Sequence, residues 1–466
     1  MLRRLLVSFS LVYLAALAGC DSGGSSGTTG SFDATPGALK GCDAANVKTA
    51  PGGYYTNGAT VCTADGTPHL FHGVDRPSME WDPQGEYNGG VGIPRADFDA
   101  MAAWHANVVR VALNQDFWLT GAALHSPNYQ ALVDSVVKSA EGAGLDVILD
   151  LHWSDRGDLT ASTAGGMQNT KGDVNQQPMA DVNSKQFWLE VATKYKGDGH
   201  VLFELYNEPH DIQWATWLNG GPVKEYQAVG MQQLYDTIRG AGADNVVIAG
   251  GLSYAFDLSQ ARENLIQGYN VMYATHPYKP QDPMTSWDRN FGYLAAQDIA
   301  PVIATEFGDS NTACTADWDN SLTDYCDQRK ISWTAWAWYP GDCHFPSLIS
   351  GWNYTPTTQG AAIKAKLLGY ADYAPAGNPS APTGNSGGAS SGGASGSTAG
   401  SGGKAGAGAG TGGAAPASEA GEGGTTDVIA GSAGSVAGGA GSIAGSAGSA
   451  GSIAGGAGSG GSSGSN

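Results

Sequence analysis

The sequence predicts an α/β fold, a (β/α)8 TIM barrel preceded by a hairpin and followed by a disordered Gly/Ser/Ala-rich tail. Two observations carry this. Short strand-forming runs alternate with amphipathic stretches from about residue 39 to residue 373, and eight such runs can be counted. The loop after the first run reads Asp75-Arg76-Pro77, without the glycines that an open doubly wound sheet places there, which favours closure.

In chain order, Arg3 and Arg4 precede an apolar stretch over 5–18 that is short for a permanent span. Its end, Leu17-Ala18-Gly19-Cys20, resembles a bacterial lipoprotein signal, which implies cleavage and acylation of Cys20; a plain secretory signal is the alternative. Residues 1–20 therefore read as a targeting segment and 21–37 as a flexible Gly/Ser/Thr linker. The folded part is expected outside the cytoplasm, either held at a membrane by lipid or secreted.

The barrel is expected over 38–374. Residues 54–65, with Asn57-Gly58 and Asp65-Gly66, read as a hairpin that closes the barrel bottom and carries Cys62. Strands are expected at 70–74, 108–113, 146–151, 201–206, 246–249, 270–275, 302–305 and 332–336. Helices are expected at 128–143, 184–195, 224–238, 287–296, 318–329 and 358–368. In the first of these, Leu132, Val133, Val136, Val137 and Ala140 share one face, and Gly142 and Gly144 stop it. The loop over 154–182 is long enough to wall a cleft. Residues 375–466, built of near-repeats such as Ser442-Ile443-Ala444-Gly445, cannot bury enough apolar surface to offset their ordering entropy.

The net charge of −20 argues against nucleic acid and anionic headgroups as partners and is compatible with a neutral polymer. Thirteen tryptophans supply faces on which sugar rings can stack, although many must serve packing. Cys20 aside, the cysteines are Cys42, Cys62, Cys314, Cys326 and Cys343. Proximity favours Cys42 with Cys62 and one bridge within the remaining three, leaving open which thiol stays free. There is no C-x-x-C and no H-E-x-x-H, so no metal site is expected.

Glu208 in Asn207-Glu208-Pro209 and Glu306 in Thr305-Glu306-Phe307 stand where strand runs give way to turn chemistry. The period of two puts Glu204, Tyr206 and Glu208 on one side of the fourth strand, and Val302, Ala304 and Glu306 on one side of the seventh. If those sides face the axis, both glutamates emerge at the top, with Glu204 roughly 13 Å deeper at about 3.3 Å per residue. Arg110 and Asn114, Asp150 and His152, His276 and Tyr278, and Trp336 and Trp338 lie at other strand ends. Convergence of these types at strand C-termini is the signal.

Together these residues resemble glycoside hydrolase family 5, the cellulase family, over about 40–370. The resemblance rests on Asn207-Glu208-Pro209, Glu306, Arg110 in Asn107–Arg110, His152 after Leu149-Asp150-Leu151, and His276-Pro277-Tyr278. It implies Glu208 as general acid/base, and Glu306 as a nucleophile kept ionised by Arg110 and Tyr278. Asn207 would hold the sugar 2-hydroxyl, His152 and His276 would donate hydrogen bonds, and Trp336 with Trp338 would form a platform under the ring. Arg110 could instead pair with Glu204, or do both; Asp75, Asp150 and Asp155 read as scaffold or rim.

The implied activity is hydrolysis of a β-linked polysaccharide with retention, the two carboxyl groups lying about 5 Å apart. An endo-β-1,4-glucanase on cellulose-like glucan is the first expectation, with β-mannanase or another β-glucanase as alternatives. A non-catalytic glycan-binding surface lipoprotein is the rival from another class. No cofactor is expected. The chain is expected to be a monomer that meets polysaccharide, and a membrane only through its N-terminal lipid.

Overall fold

A computed structural model describes residues 41–45, 47–160, 177–279, 284–309 and 314–370. The targeting segment with Cys20, the linker, the Gly-rich tail and the middle of the 154–182 loop lie outside the described residues.

Eight parallel strands close into a barrel: β1 His72–Arg76, β2 Val108–Asn114, β3 Asp146–Trp153, β4 Val201–Glu204, β5 Val247–Gly250, β6 Val271–Thr275, β7 Val302–Ala304 and β8 Ser332–Ala335. Each pairs with its successor in the chain, and β8 returns to β1 through Trp333 opposite His72. All eight coincide with expected runs. The residue at position 73 must be glycine: a Cβ there would stand 1.9 Å from the Val108 carbonyl oxygen across the β1–β2 pair.

Alternation sorts the strand residues into two cores. Val109, Val111, Val147, Leu149, Val201 and Phe203 face outward to the helices, whereas Val108, Ile148, Leu202, Ile248, Met272 and Ile303 fill the barrel interior. The hairpin of Tyr54–Asn57 and Thr60–Thr63 closes the bottom as expected, its Tyr54 and Val61 joining that inner cluster. The Tyr54 hydroxyl donates to Asp146 at the start of β3 (2.6 Å). Gly58 takes φ +59° at the hairpin tip, a conformation in which a side chain is strained.

Helices cover the outside. Ser184–Tyr195 buries Phe187, Trp188, Val191, Ala192 and Tyr195, one face at helical spacing. Its Trp188 indole N–H bonds the Leu205 carbonyl (2.9 Å), and the Trp217 indole bonds the Gly250 carbonyl (2.7 Å). Both satisfy carbonyls at or just past strand ends, where the ladder no longer does.

Two expectations are corrected. The stretch over 224–238 is not one helix: Gly221–Val223 and Tyr226–Ala228 form a hairpin, and the helix is Met231–Gly240. Tyr226 and Ala228 are buried while Gln227 between them is exposed, a period of two, and Lys224 sits at φ +48° in the turn. Nor does period two place the two glutamates: Glu204 ends β4 facing Arg110 in the interior while Tyr206 beyond it joins the outer core, and within β7 Val302 and Ala304 face outward around the inward Ile303. Past the strand ends the chain turns, and period two no longer assigns faces. Among the expected helices, 287–296 is a π turn, Asp288–Gly292, running into Tyr293–Ala296.

Cys42 bonds Cys62 and Cys314 bonds Cys343, leaving Cys326 as a buried thiol in the helix Asp317–Arg329. The first bridge ties the segment before the hairpin to its second strand. Closing a loop of this size removes about 3 kcal/mol of denatured-state freedom in the chain-entropy account.

Candidate active site

Arg110 organises the top of the barrel. Pointing inward from β2 and 1% exposed, it donates from Nε to Glu204 (2.5 Å), from Nη1 to Asp75 (3.0 Å) and Glu306 (2.6 Å), and from Nη2 to the Asn207 amide oxygen (2.7 Å). Nη2 also lies 3.0 Å from Asp150. The two sequence alternatives for Arg110 are therefore both realised: it holds Glu204 beneath and Glu306 above.

One buried cation among four acids sets the electrostatics. Burial opposes the guanidinium charge, yet Asp150, Glu204, Glu306 and Asp75 together raise Arg110 well above its ordinary value. Burial pushes Asp75 well above the usual carboxylate range and Asp150 to about 7, in each case against the pull of Arg110. Glu80, buried just after β1, is pushed by burial to about 8. Asp75 and Asp150, read from sequence as scaffold or rim, form the inner support of the site, while Asp155 stands further off, its backbone N–H on Asp181.

The remaining side chains interlock. The Tyr278 hydroxyl donates to the second Glu306 oxygen (2.9 Å). His152 Nδ1 lies 2.6 Å from Asp150, and its Nε2 lies 3.4 Å from the Asn207 amide nitrogen. Because the Asn207 oxygen is taken by Arg110, its NH2 faces His152, so His152 carries its proton on Nδ1 and donates it to Asp150. His276 Nδ1 lies 3.2 Å from Glu208, and its Nε2 lies 2.9 Å from the Thr305 hydroxyl. Burial holds both His152 and His276 at about 4, hence neutral near pH 7. Oxygens of Glu208 and Glu306 and a nitrogen of His276 all lie within 4.8 Å of one another. No metal role is assigned to these three, since Glu306 is held by Arg110 and Tyr278 and His276 bridges Glu208 and Thr305.

Two tryptophans part company. Trp336, half-buried, stands over this floor with its ring 5.9 Å from His152 and nearly parallel to it. Trp338 is fully buried, its indole N–H bonded to Asp97 (2.8 Å) and its ring against Trp104. It therefore offers no face to a ligand, which corrects its expected place in the platform. Asn114 also leaves the constellation, because its side chain caps the helix Gln115–Trp118 and bonds the Glu80 carbonyl.

A family model described as cellulase, glycosyl hydrolase family 5, matches residues 64–342. The chain belongs to glycosyl hydrolase family 5. Endoglucanase A of Evansella cellulosilytica is 25% identical over 288 residues, covering 58% of this chain and 52% of that one. Endoglucanase E-5 of Thermobifida fusca is 26% identical over 257 residues, covering 52% and 47%. The chain thus spans about half the length of these curated relatives.

Solved structures bear out the fold. A β-glucanase of Saccharophagus degradans superposes with TM-score 0.53 at 20% identity, over 72% of this chain and 98% of that one. The catalytic domain of a Thermobifida fusca endoglucanase in complex with cellotetraose gives 0.51 at 20%, over 68% and 97%.

Sequence reasoning overlooked Thr305. It stands just past the end of β7, where its hydroxyl donates to Glu204 and lies 2.9 Å from His276 Nε2, and no strand periodicity reaches it.

Proposed function

We propose that the chain is a retaining β-glycanase that cleaves β-linked glucan by double displacement. The observation that carries this reading is the approach of Glu208 and Glu306 to within 4.8 Å. Inverting enzymes separate their carboxyl groups by about 6.5–9.5 Å to admit a water, whereas about 5–5.5 Å suits direct attack.

In the first half-reaction Glu306 attacks the anomeric carbon while Glu208 gives its proton to the departing glycosidic oxygen. Arg110 and the Tyr278 hydroxyl each bond one Glu306 oxygen, which fixes the direction of its attack. The product is a glycosyl ester on Glu306. Glu208 then takes a proton from water as that water attacks the same carbon, releasing the sugar with its original configuration. Asn207, locked by Arg110, meets the sugar 2-hydroxyl, and Trp336 lies under the ring. His152 and His276, both neutral, line the site beside the reacting sugar with their ring protons committed to Asp150 and Thr305, so they position Asn207 and Glu208 rather than donate to the sugar.

Relatives named endoglucanases support a β-1,4-glucan as substrate and endo attack as the mode, with mannan and other β-glucans as further candidates. Two disulfides accord with an oxidising compartment, hence with export directed by residues 1–20 and with an acylated Cys20 as anchor. On this reading 38–374 is the catalytic barrel, with 21–37 a linker before it and 375–466 a low-complexity Gly-rich segment after it. The chain is read as a monomer that meets polysaccharide.

The test is a panel of soluble β-glucans, mannan and xylan, with Glu306→Gln as control. At least one glucan should be cut, and the substitution should lower kcat by about 10³-fold or more. Glycan binding without cleavage by the unmodified chain, or activity in Glu306→Gln within tenfold of it, would contradict the assignment.

A further inference from the structure

Beneath the reacting pair, one line of hydrogen bonds runs from the barrel interior to Glu208. Glu204 Oε2 takes the Nε proton of Arg110 at 2.5 Å, and its Oε1 accepts from the Thr305 hydroxyl at 2.8 Å. Thr305 Oγ lies 2.9 Å from His276 Nε2, and His276 Nδ1 lies 3.2 Å from Glu208 Oε1. Glu204, Thr305 and the His276 side chain are all fully buried, so no water competes for these positions.

The proton inventory orients the whole line. Glu204, ion-paired with Arg110, can only accept. The single Thr305 proton therefore points to Glu204, and Thr305 Oγ must accept from His276. That places the imidazole proton on Nε2 and leaves Nδ1 with a bare lone pair facing Glu208. A lone pair attracts Glu208 only when that carboxyl carries its proton, and repels it when ionised.

We propose that Glu204, Thr305 and His276 form a relay that holds the proton on Glu208 until the leaving oxygen takes it. Glu204 and Thr305 are positioning residues, since they act only through His276. The inference rests on the reading of Glu208 as the proton donor and adds the device that keeps it one. It also gives a purpose to Glu204, which lies too deep to meet substrate.

Other groups face Glu208 as well. Glu306 approaches from the end of β7, Asp150 and His152 from β3, Tyr278 from the segment after β6 and Tyr254 from the segment after β5. His210 bonds its backbone carbonyl. None of these belongs to the line through Thr305, so cutting the line at Thr305 leaves each in place.

The experiment compares Thr305→Val, which keeps the shape and removes the hydroxyl, with Thr305→Ser, which restores it. For each, kcat/KM is followed against pH on a soluble β-glucan and on β-cellobiosyl fluoride, whose leaving group needs no proton. In Thr305→Val the alkaline limb on glucan should move down by about one pH unit, the worth of one hydrogen bond to a charged network. Thr305→Ser should return the limb to its original place, and the alkaline limb on fluoride should not move in either variant. An unmoved limb on glucan in folded Thr305→Val overturns the relay while leaving the hydrolase intact. A limb that moves equally on fluoride also overturns it, because the effect then lies outside proton donation. Failure of the unmodified chain to cut either substrate removes the hydrolase reading, and the relay with it.

Discussion

At the scale of single residues, the site is an exercise in distributing one positive charge. Arg110 faces Asp75, Asp150, Glu204 and Glu306, and only some of these can be ionised together. Truncating Arg110 would strand several buried acids, at a cost of about 3–5 kcal/mol, and would report on folding rather than chemistry. Tyr278 is the more informative position. Burial, reinforced by Glu306 and Glu208, raises its hydroxyl well above the ordinary value, so it remains a donor at any working pH. Tyr278→Phe keeps the ring and removes one bond to the nucleophile. We expect kcat/KM on the cleaved glycan to fall by about 10- to 100-fold, the worth of a charge-assisted hydrogen bond, with Tm shifting by about 2 °C or less. Unchanged kcat/KM would show that Arg110 alone holds Glu306.

At the scale of elements, the eight strands were legible because strands of a parallel barrel are buried on both faces and read as apolar runs. Ser184–Tyr195 and Thr358–Leu368 were legible for the complementary reason, a buried face at helical spacing. The hairpin at Gly221–Val223 and Tyr226–Ala228 was not, because a short alternating run beside a real helix resembles an extension of it. In the site, the glutamates were found from the turn residues around them. They meet at the top of the barrel as expected, but the strand residues said to share their side were misassigned because periodicity was carried past Glu204 and Ala304, where the strands stop. Trp338 shows a second limit: its proximity to Trp336 in the chain says nothing of Asp97, whose carboxylate holds its indole inside. The pairing of Cys314 with Cys343 rather than Cys326 likewise depends on the fold, since Cys326 lies on the buried face of its helix.

At the scale of the whole molecule, the buried titratable groups make stability depend on pH in a definite direction. Burial raises Glu80 and Asp116 to about 8 and Asp150 and Asp319 to about 7. The folded state therefore binds more protons than the unfolded chain at neutral pH, and stability falls as pH rises through these values. Burial acts oppositely on His69, His152 and His276, each lowered to about 4, so their contribution is complete above about 6.5 and is lost on the acid side. Between pH 6.5 and 8.5 only the first group is active among these. Calorimetry should show Tm declining over that interval, and Glu80→Gln, which keeps the acceptor for the Ser78 N–H, should flatten the decline. A Tm that rises across the interval would contradict the assigned protonation.

Double displacement by Glu208 and Glu306 fixes the stereochemistry of the first product, which can be measured. Proton NMR of the cleaved β-glycan, recorded within the first minutes of reaction, distinguishes the anomer released by the enzyme from that formed by mutarotation. The β-anomer should appear first and the α-anomer only later. Initial release of the α-anomer would contradict double displacement, and would assign the pair an inverting role although their oxygens lie within 4.8 Å.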